Sequence, residues 1–285
     1  MRIRTILLAL FMICIARELH PQYDPDFYDN YTVIPGQPAS AVIGLFKESQ
    51  GFIWASYISG IYRYDGTGMK HYKRIPEDTN SLSDNLVRSF LFEDSLNRIW
   101  VSNFSNNIDI INTKTGKIRQ LSFDHSEFNF NNVAGLFGGC QDANGNIIGN
   151  AQDRILAYFD LGKKKLYSIL IDPDHPDSSI NKVTEVYKDR TGRIWIGTQS
   201  GLFIFNAADK SFIRPLITGD GSEALNNAFI LEMIQDAEGT FWIGTGNGLF
   251  KFDTLENTIS HYRHKPEDPN MLSHDVIRRL HEYPP

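Results

Sequence analysis

The chain has 285 residues, a formal net charge of −6 and 41% hydrophobic residues. That balance fits a folded protein and argues against nucleic acid as a partner, because nucleic acid calls for clustered Lys and Arg. No low-complexity stretch of consequence interrupts the chain.

The first predicted element is a targeting segment. Met1-Arg-Ile-Arg4 and the apolar run Ile6–Ala16 have the charged and apolar regions of a secretory signal. Its 11 apolar residues are too few to span a bilayer before Arg17 and Glu18 end it. A signal peptide over about residues 1–20 predicts periplasmic export. Cys14 is a poor lipid-attachment site because Ile13 before it is bulky. Removing the signal leaves Cys140 alone, so no intrachain disulfide is expected. Flanked by Gly138 and Gly139 in a strand-like run, Cys140 reads as a small buried residue and not a nucleophile.

A propeller region follows over residues 27–285. Tyr31–Pro35 reads as the closing strand of a unit whose earlier strands do not precede it, and Ser40–Phe46 opens the first unit. Five phrases then mark the units: Glu48-Ser-Gln-Gly-Phe-Ile-Trp54, Asp94-Ser-Leu-Asn-Arg-Ile-Trp100, Asp142-Ala-Asn-Gly-Asn-Ile-Ile148, Asp189-Arg-Thr-Gly-Arg-Ile-Trp195 and Asp236-Ala-Glu-Gly-Thr-Phe-Trp242. The acidic residue always stands six positions before the aromatic or its substitute, and the units recur at 46, 48, 47 and 47 residues. Self-similarity at that period means a solenoid, propeller or array.

Within the fourth unit, Val183–Tyr187, Arg193–Gly197, Leu202–Phe205 and Ser211–Pro215 read as four β-prone runs between polar turns. Four short strands per unit of about 45 residues match a propeller blade. The expected class is therefore all-β, with blades near 40–80, 81–128, 129–177, 178–223 and 224–270. Leu272–Leu280 matches Leu82–Phe90 and opens a sixth unit over 271–285. On this reading the ring is incomplete and the chain is the front piece of a longer product. A closed five-bladed ring is the competing arrangement.

The repeated residues have mechanical roles. Gly201 and Gly248 precede a strand, where positive φ permits a tight reversal. The repeated Asp is placed to accept hydrogen bonds from turn amides. Trp54, Trp100, Trp195 and Trp242, with Ile148 in the third unit, are structural positions that pack the seam between blades. Sugar-stacking platforms are the alternative reading of these indoles.

Candidate sites are few. His261 and His264 are three apart, yet no further ligands are spaced to complete a zinc site, and His261 repeats His71. Asp172-Pro-Asp-His-Pro-Asp177 lacks the liganding pattern of a calcium loop and reads as a solvated connection. No catalytic constellation, metal site or cofactor is implied. Departures from the repeat are more informative. Two units read Thr-x-x-Gly after the second strand, at Thr198–Gly201 and Thr245–Gly248. The others place Tyr57, Phe104, Asn106, Asn107, Gln152 and Arg154 at these turns, where they would form a patch on one rim. Aromatic, amide and guanidinium groups suit an oligosaccharide, an acidic one if Arg154 takes part. Drift in exposed turns is the plainer account.

The phrase Leu-Ser-x-x-x-Val/Ile, followed by Asp-x-x-Gly-x-Ile-Trp-Ile-Gly-Thr-x-x-Gly-Leu-Phe-x-Phe-Asp/Asn, resembles the two-component regulator propeller repeat. The resemblance runs from about residue 27 onward and includes Gly60-Ile-Tyr-Arg-Tyr-Asp-Gly66. It implies the periplasmic sensor half of a hybrid histidine kinase, with two seven-bladed propellers, a membrane helix and a kinase beyond these residues. Partners implied are an oligosaccharide from polysaccharide breakdown, the remaining blades and kinase region, and a second copy in a homodimer. A propeller lyase or hydrolase is the rival reading, and a nonfunctional gene piece the third.

Overall fold

The computed structural model describes residues 38, 40–105, 107–121, 136–151, 154–219, 221–268 and 270–282. The expected signal segment and the lone strand at 31–35 lie outside them. The unit from Pro38 to Pro285 is a β-propeller built from five four-stranded antiparallel sheets.

The first sheet holds β1 (Gly44–Lys47), β2 (Ile53–Tyr57), β3 (Gly60–Tyr64) and β4 (Met69–Tyr72). The second holds β5 (Val87–Glu93), β6 (Arg98–Asn103), β7 (Ile108–Asn112) and β8 (Ile118–Leu121). The third is β9 (Leu136–Gln141), β10 (Ile147–Ala151), β11 (Leu156–Asp160) and β12 (Lys165–Ile169). The fourth is β13 (Val183–Lys188), β14 (Ile194–Thr198), β15 (Gly201–Asn206) and β16 (Ser211–Ile213). The fifth is β17 (Ile230–Gln235), β18 (Phe241–Thr245), β19 (Gly248–Asp253) and β20 (Thr258–Tyr262). Strands pair in chain order within each sheet, as consecutive hairpins require. One short helix, α1 (Ser222–Asn226), lies in the connection between the fourth and fifth sheets, where the strand pattern alone gave no helix.

The first strands stand side by side in succession, β1 by β5, β5 by β9, β9 by β13 and β13 by β17. The core is divided among the seams. One cluster joins Trp54 and Ile61 of the first sheet to Val87, Ile99 and Ile111 of the second. The next joins Trp100 to Leu136 and Phe159, a third joins Ile148 to Val183 and Ile196, and a fourth joins Trp195 to Ile230, Phe241 and Phe250. Trp54, Trp100, Ile148 and Trp195 therefore each pack toward the sheet that follows. Trp54 is 0% and Trp195 1% exposed, their rings set in these seams. Trp242, in the fifth sheet, is only partly buried.

The six-residue spacing is a hydrogen bond. Nε1 of Trp54, Trp100, Trp195 and Trp242 donates to the carboxylate of Glu48, Asp94, Asp189 and Asp236, at 2.8, 2.8, 2.9 and 2.8 Å. The other oxygen of Asp189 accepts from the Thr191 and Arg193 amides, each at 2.9 Å, and so closes the turn. Burial pushes the Asp189 carboxyl up, but hydrogen bonds from Thr191, Trp195 and Arg193 outweigh it and hold it below the usual range. In the third sheet Ile148 has no N–H to give. Tyr158, its partner across β10 and β11, donates to Asp142 at 3.2 Å instead.

Gly201 and Gly248 adopt φ of +101° and +110°, as the tight reversal requires. The glycine of Trp-Ile-Gly-Thr has a different cause. A Cβ on Gly197 would lie 2.6 Å from Cγ2 of Ile230, so glycine lets the next sheet approach.

The extended segment 275–282 carries no strand among the described residues, although the sequence pattern opens a sixth unit there. It still repeats the contacts of the preceding unit. The Gly248 amide donates to Asp275 O as the Gly201 amide does to Ala228 O, and the Ile277 amide donates to Thr245 O at 2.9 Å.

Candidate functional site

The first strands surround a cavity of about 1180 Å³, reached by residues of all five sheets and of the 275–282 segment. Side chains in a strand alternate between faces, so every second residue of β5, β9, β13 and β17 can face it. After the buried aliphatic that begins each unit (Val87, Leu136, Val183 and Ile230), and after the half-buried Ile277 of the segment, come Arg88, Phe137, Thr184, Leu231 and Arg278, all in the wall.

Arg88 is the most constrained of these. Its guanidinium carbon lies 4.1 Å from the Phe104 ring centroid and 5.1 Å from that of Phe137. Its Nε is buried without a hydrogen-bond partner, and burial lowers the pKa of the group. Arg154 has φ of +61°, a conformation that costs an ordinary residue roughly 1–2 kcal/mol. Its guanidinium sits 5.4 Å from the Phe229 ring. Held strain of this kind concentrates at functional positions.

Hydroxyls in the wall lace neighbouring sheets together. Ser89 Oγ donates to Phe137 O at 2.7 Å, and Thr184 Oγ1 donates to Ile230 O at 2.7 Å. Burial, then the nearby Glu232 charge, pushes the Glu185 carboxyl up to about 8, with Arg279 opposing. Glu232 itself is paired with Arg279 at 2.6 Å. Val42, Ile43, Leu45 and Phe137 expose apolar surface here. The wall offers aromatic faces, an amide at Asn150 and guanidinium groups, a set that binds polar rings by stacking and bidentate hydrogen bonds.

The residues singled out from the sequence disperse. Arg154 lines the cavity, and Phe104, 50% exposed, reaches it through Arg88. Tyr57 is 1% exposed and packs edge-on against Tyr62 at 5.2 Å. The Asn107 amide donates to Asn103 Oδ1 at 3.0 Å, facing a separate small cavity with Ser83 and Gln120. Asn106 and Gln152 lie outside the described residues. Sequence reasoning passed over Arg88, Phe137, Glu185 and Arg278. Their signal was phase, because Arg88 and Arg278 occupy the same place in the matched phrases Leu82–Phe90 and Leu272–Leu280.

Other candidates resolve locally. His261 stacks on Phe250 at 3.9 Å with Nε2 2.7 Å from Asn247 O, and His264 Nδ1 lies 2.6 Å from Leu272 O. Among the described residues no cluster of three His, Cys, Asp or Glu is placed to hold a metal ion. Cys140 is free and buried in the seam between the third and fourth sheets, where burial pushes its thiol up to about 12. Such a thiol is unreactive. Among the described residues no helix is long and apolar enough to cross a membrane.

The profile of the two component regulator propeller family matches residues 177–200 and 224–247. No curated protein sequence matches the chain. Among solved structures, the extracellular domain of the hybrid two component system BT3049 of B. thetaiotaomicron is similar at 21% identity and TM-score 0.64, covering 90% of this chain and 32% of that one. The extracellular domain of BT4673 from the same organism matches at 19% identity and TM-score 0.50, covering 86% of this chain and 36% of its own. A catalytically inactive virginiamycin B lyase from Staphylococcus aureus, solved with quinupristin, has TM-score 0.55 at 14% identity over 81% of this chain and 73% of that one. At these identities the likenesses show the fold alone, and the chain spans about a third of the two extracellular domains. The fold is a β-propeller, and its fourth and fifth units match the two-component regulator propeller repeat.

Proposed function

We propose that this chain is the extracytoplasmic ligand-sensing part of a hybrid two-component sensor. Its ligand is an oligosaccharide released by polysaccharide breakdown. The observation that carries the reading is the central cavity, walled by Arg88, Arg154, Phe137, Phe229 and Asn150 in a protein two of whose repeats match the regulator propeller family. Cavities of about 300–1,000 Å³ hold drug-sized ligands, and this one, at about 1180 Å³, has room for several sugar rings. Phe104 and Arg154 are the members of the sequence-derived rim group that serve it. Binding biases a dimer whose kinase region lies outside these residues. The chain acts by binding and does no chemistry on the sugar.

A thermal-shift and calorimetric screen against neutral and acidic oligosaccharides tests this. Binding without turnover is expected, and Arg154→Ala should weaken it about tenfold, as loss of a charged hydrogen bond does. Release of cleaved product would overturn the sensing role in favour of catalysis.

A further inference from the structure

Among the described residues Arg88, Arg154 and Arg278 line the cavity with no carboxylate partner, whereas Arg279 is paired with Glu232. Three guanidiniums without a carboxylate partner around one cavity run against the chain's net charge of −6. Like charges focused in a low-dielectric cleft raise the local concentration of anions. Arg88 is also pre-positioned between two aromatic rings, so little rotamer freedom is lost on binding.

These arginines come from different bodies of structure. Arg88 is on β5, and Arg154 follows β10. Arg278 belongs to the 275–282 segment, which is held to the fifth sheet by a short set of contacts. These include Ile277 N–H to Thr245 O, Gly248 N–H to Asp275 O, the Arg279–Glu232 pair and Ala237 N–H to Glu282 at 2.7 Å, while just past β20 Arg263 and the His264 amide bond the Asp275 carboxylate at 3.1 and 2.7 Å.

We propose that the cavity selects an anionic ligand, a uronate- or sulfate-bearing oligosaccharide, which joins Arg88 and Arg154 of the sheet walls to Arg278 and so closes the 275–282 segment onto the fifth sheet. The oligosaccharide identity rests on the sensing role above, while the anion selectivity and the closure rest on the arginines. Glu185 does not oppose this near neutral pH. Half-buried on the cavity wall, its carboxyl is pushed up to about 8 by desolvation and then by the Glu232 charge.

The test is calorimetry on the full chain with four probes: a galacturonic-acid trisaccharide, a sulfated galactose disaccharide, a neutral galactose trisaccharide and sodium sulfate. At least one anionic saccharide should bind tenfold or more tighter than the neutral one, weakening with salt, and the tighter of the two identifies the anion. Arg88→Gln and Arg278→Gln should each reduce that affinity about tenfold. Arg278 is exposed, so its variant folds even if Arg88→Gln does not. The Ile277 amide should exchange several-fold more slowly with the anionic ligand bound.

Equal binding of the neutral trisaccharide would overturn anion selection and leave oligosaccharide sensing standing. Sulfate binding with the same arginine dependence, and no saccharide binding, would overturn the sensing reading while keeping the anion site. No binding of any probe at millimolar concentration would overturn both. Unchanged affinity in Arg278→Gln, or unchanged exchange at Ile277, would overturn the closure.

Discussion

Asp189 and Trp195 show how one residue pair can set a turn and a seam together. The carboxylate satisfies two turn amides with one oxygen and the indole N–H with the other, and the indole ring then fills the gap to the next sheet. Hydrogen bonds to an ionised group are worth about 1.5–3 kcal/mol each in mutational series. Asp189→Ala should therefore cost about 2–4 kcal/mol in urea unfolding, and a double-mutant cycle with Trp195→Phe should give a coupling of about 1–2 kcal/mol. Because the folded carboxyl is held below its ordinary value, its stabilisation is present above the unfolded pKa and is lost as pH falls through the folded one. Urea midpoints of the parent should fall below about pH 4, and those of Asp189→Ala should fall less. Tyr158→Phe removes the hydroxyl that serves Asp142 in the third sheet and should cost about 1 kcal/mol.

At the scale of elements, the joint between β14 and β17 depends on an absent side chain. Gly197→Ala places a methyl 2.6 Å from Ile230 Cγ2, and overpacking of this kind costs typically 1–3 kcal/mol. Gly244→Ala makes the equivalent contact with Ile277 Cγ2 at 2.9 Å, but Ile277 lies in a segment without strand pairing. That segment can give way, so Gly244→Ala should destabilise less than Gly197→Ala in thermal melts. The opposite order would mean that the segment is as firmly seated as a sheet.

For the whole molecule, the cavity wall couples charge to stability. Glu185 is pushed from an ordinary value of 4.5 to about 8 by burial and by Glu232, with Arg279 working the other way. A carboxyl raised in the folded state stabilises fully below its unfolded pKa, and that contribution is lost as pH climbs from about 4.5 to about 8. The Tm should fall across that window. Glu185→Gln should flatten the fall and raise the Tm by a few degrees at pH 8.5. A parent and variant with parallel pH profiles would remove Glu185 from this role.

The repeat made much of the fold legible in the sequence. Phrases spaced by 46 to 48 residues fixed the sheets, and the β-prone runs lay within a residue or two of β13 to β16. Local signals suffice there because each blade is a chain of consecutive hairpins. The site was less legible. Tyr57 and Arg154 stand at the Thr and Gly places of equivalent turns, yet one is buried against Tyr62 and the other lines the cavity in a left-handed conformation. Ile148 stands where the other units carry Trp, and only the pairing of β10 with β11 shows Tyr158 serving the Asp142 carboxylate in its place. Sequence by itself determined the period, the strands and the residues that join each turn to its seam, since those contacts span six positions or fewer. Only the tertiary structure decided which side chains share the central cavity, because Arg88, Arg154 and Arg278 are far apart along the chain and meet only where the sheets are set side by side.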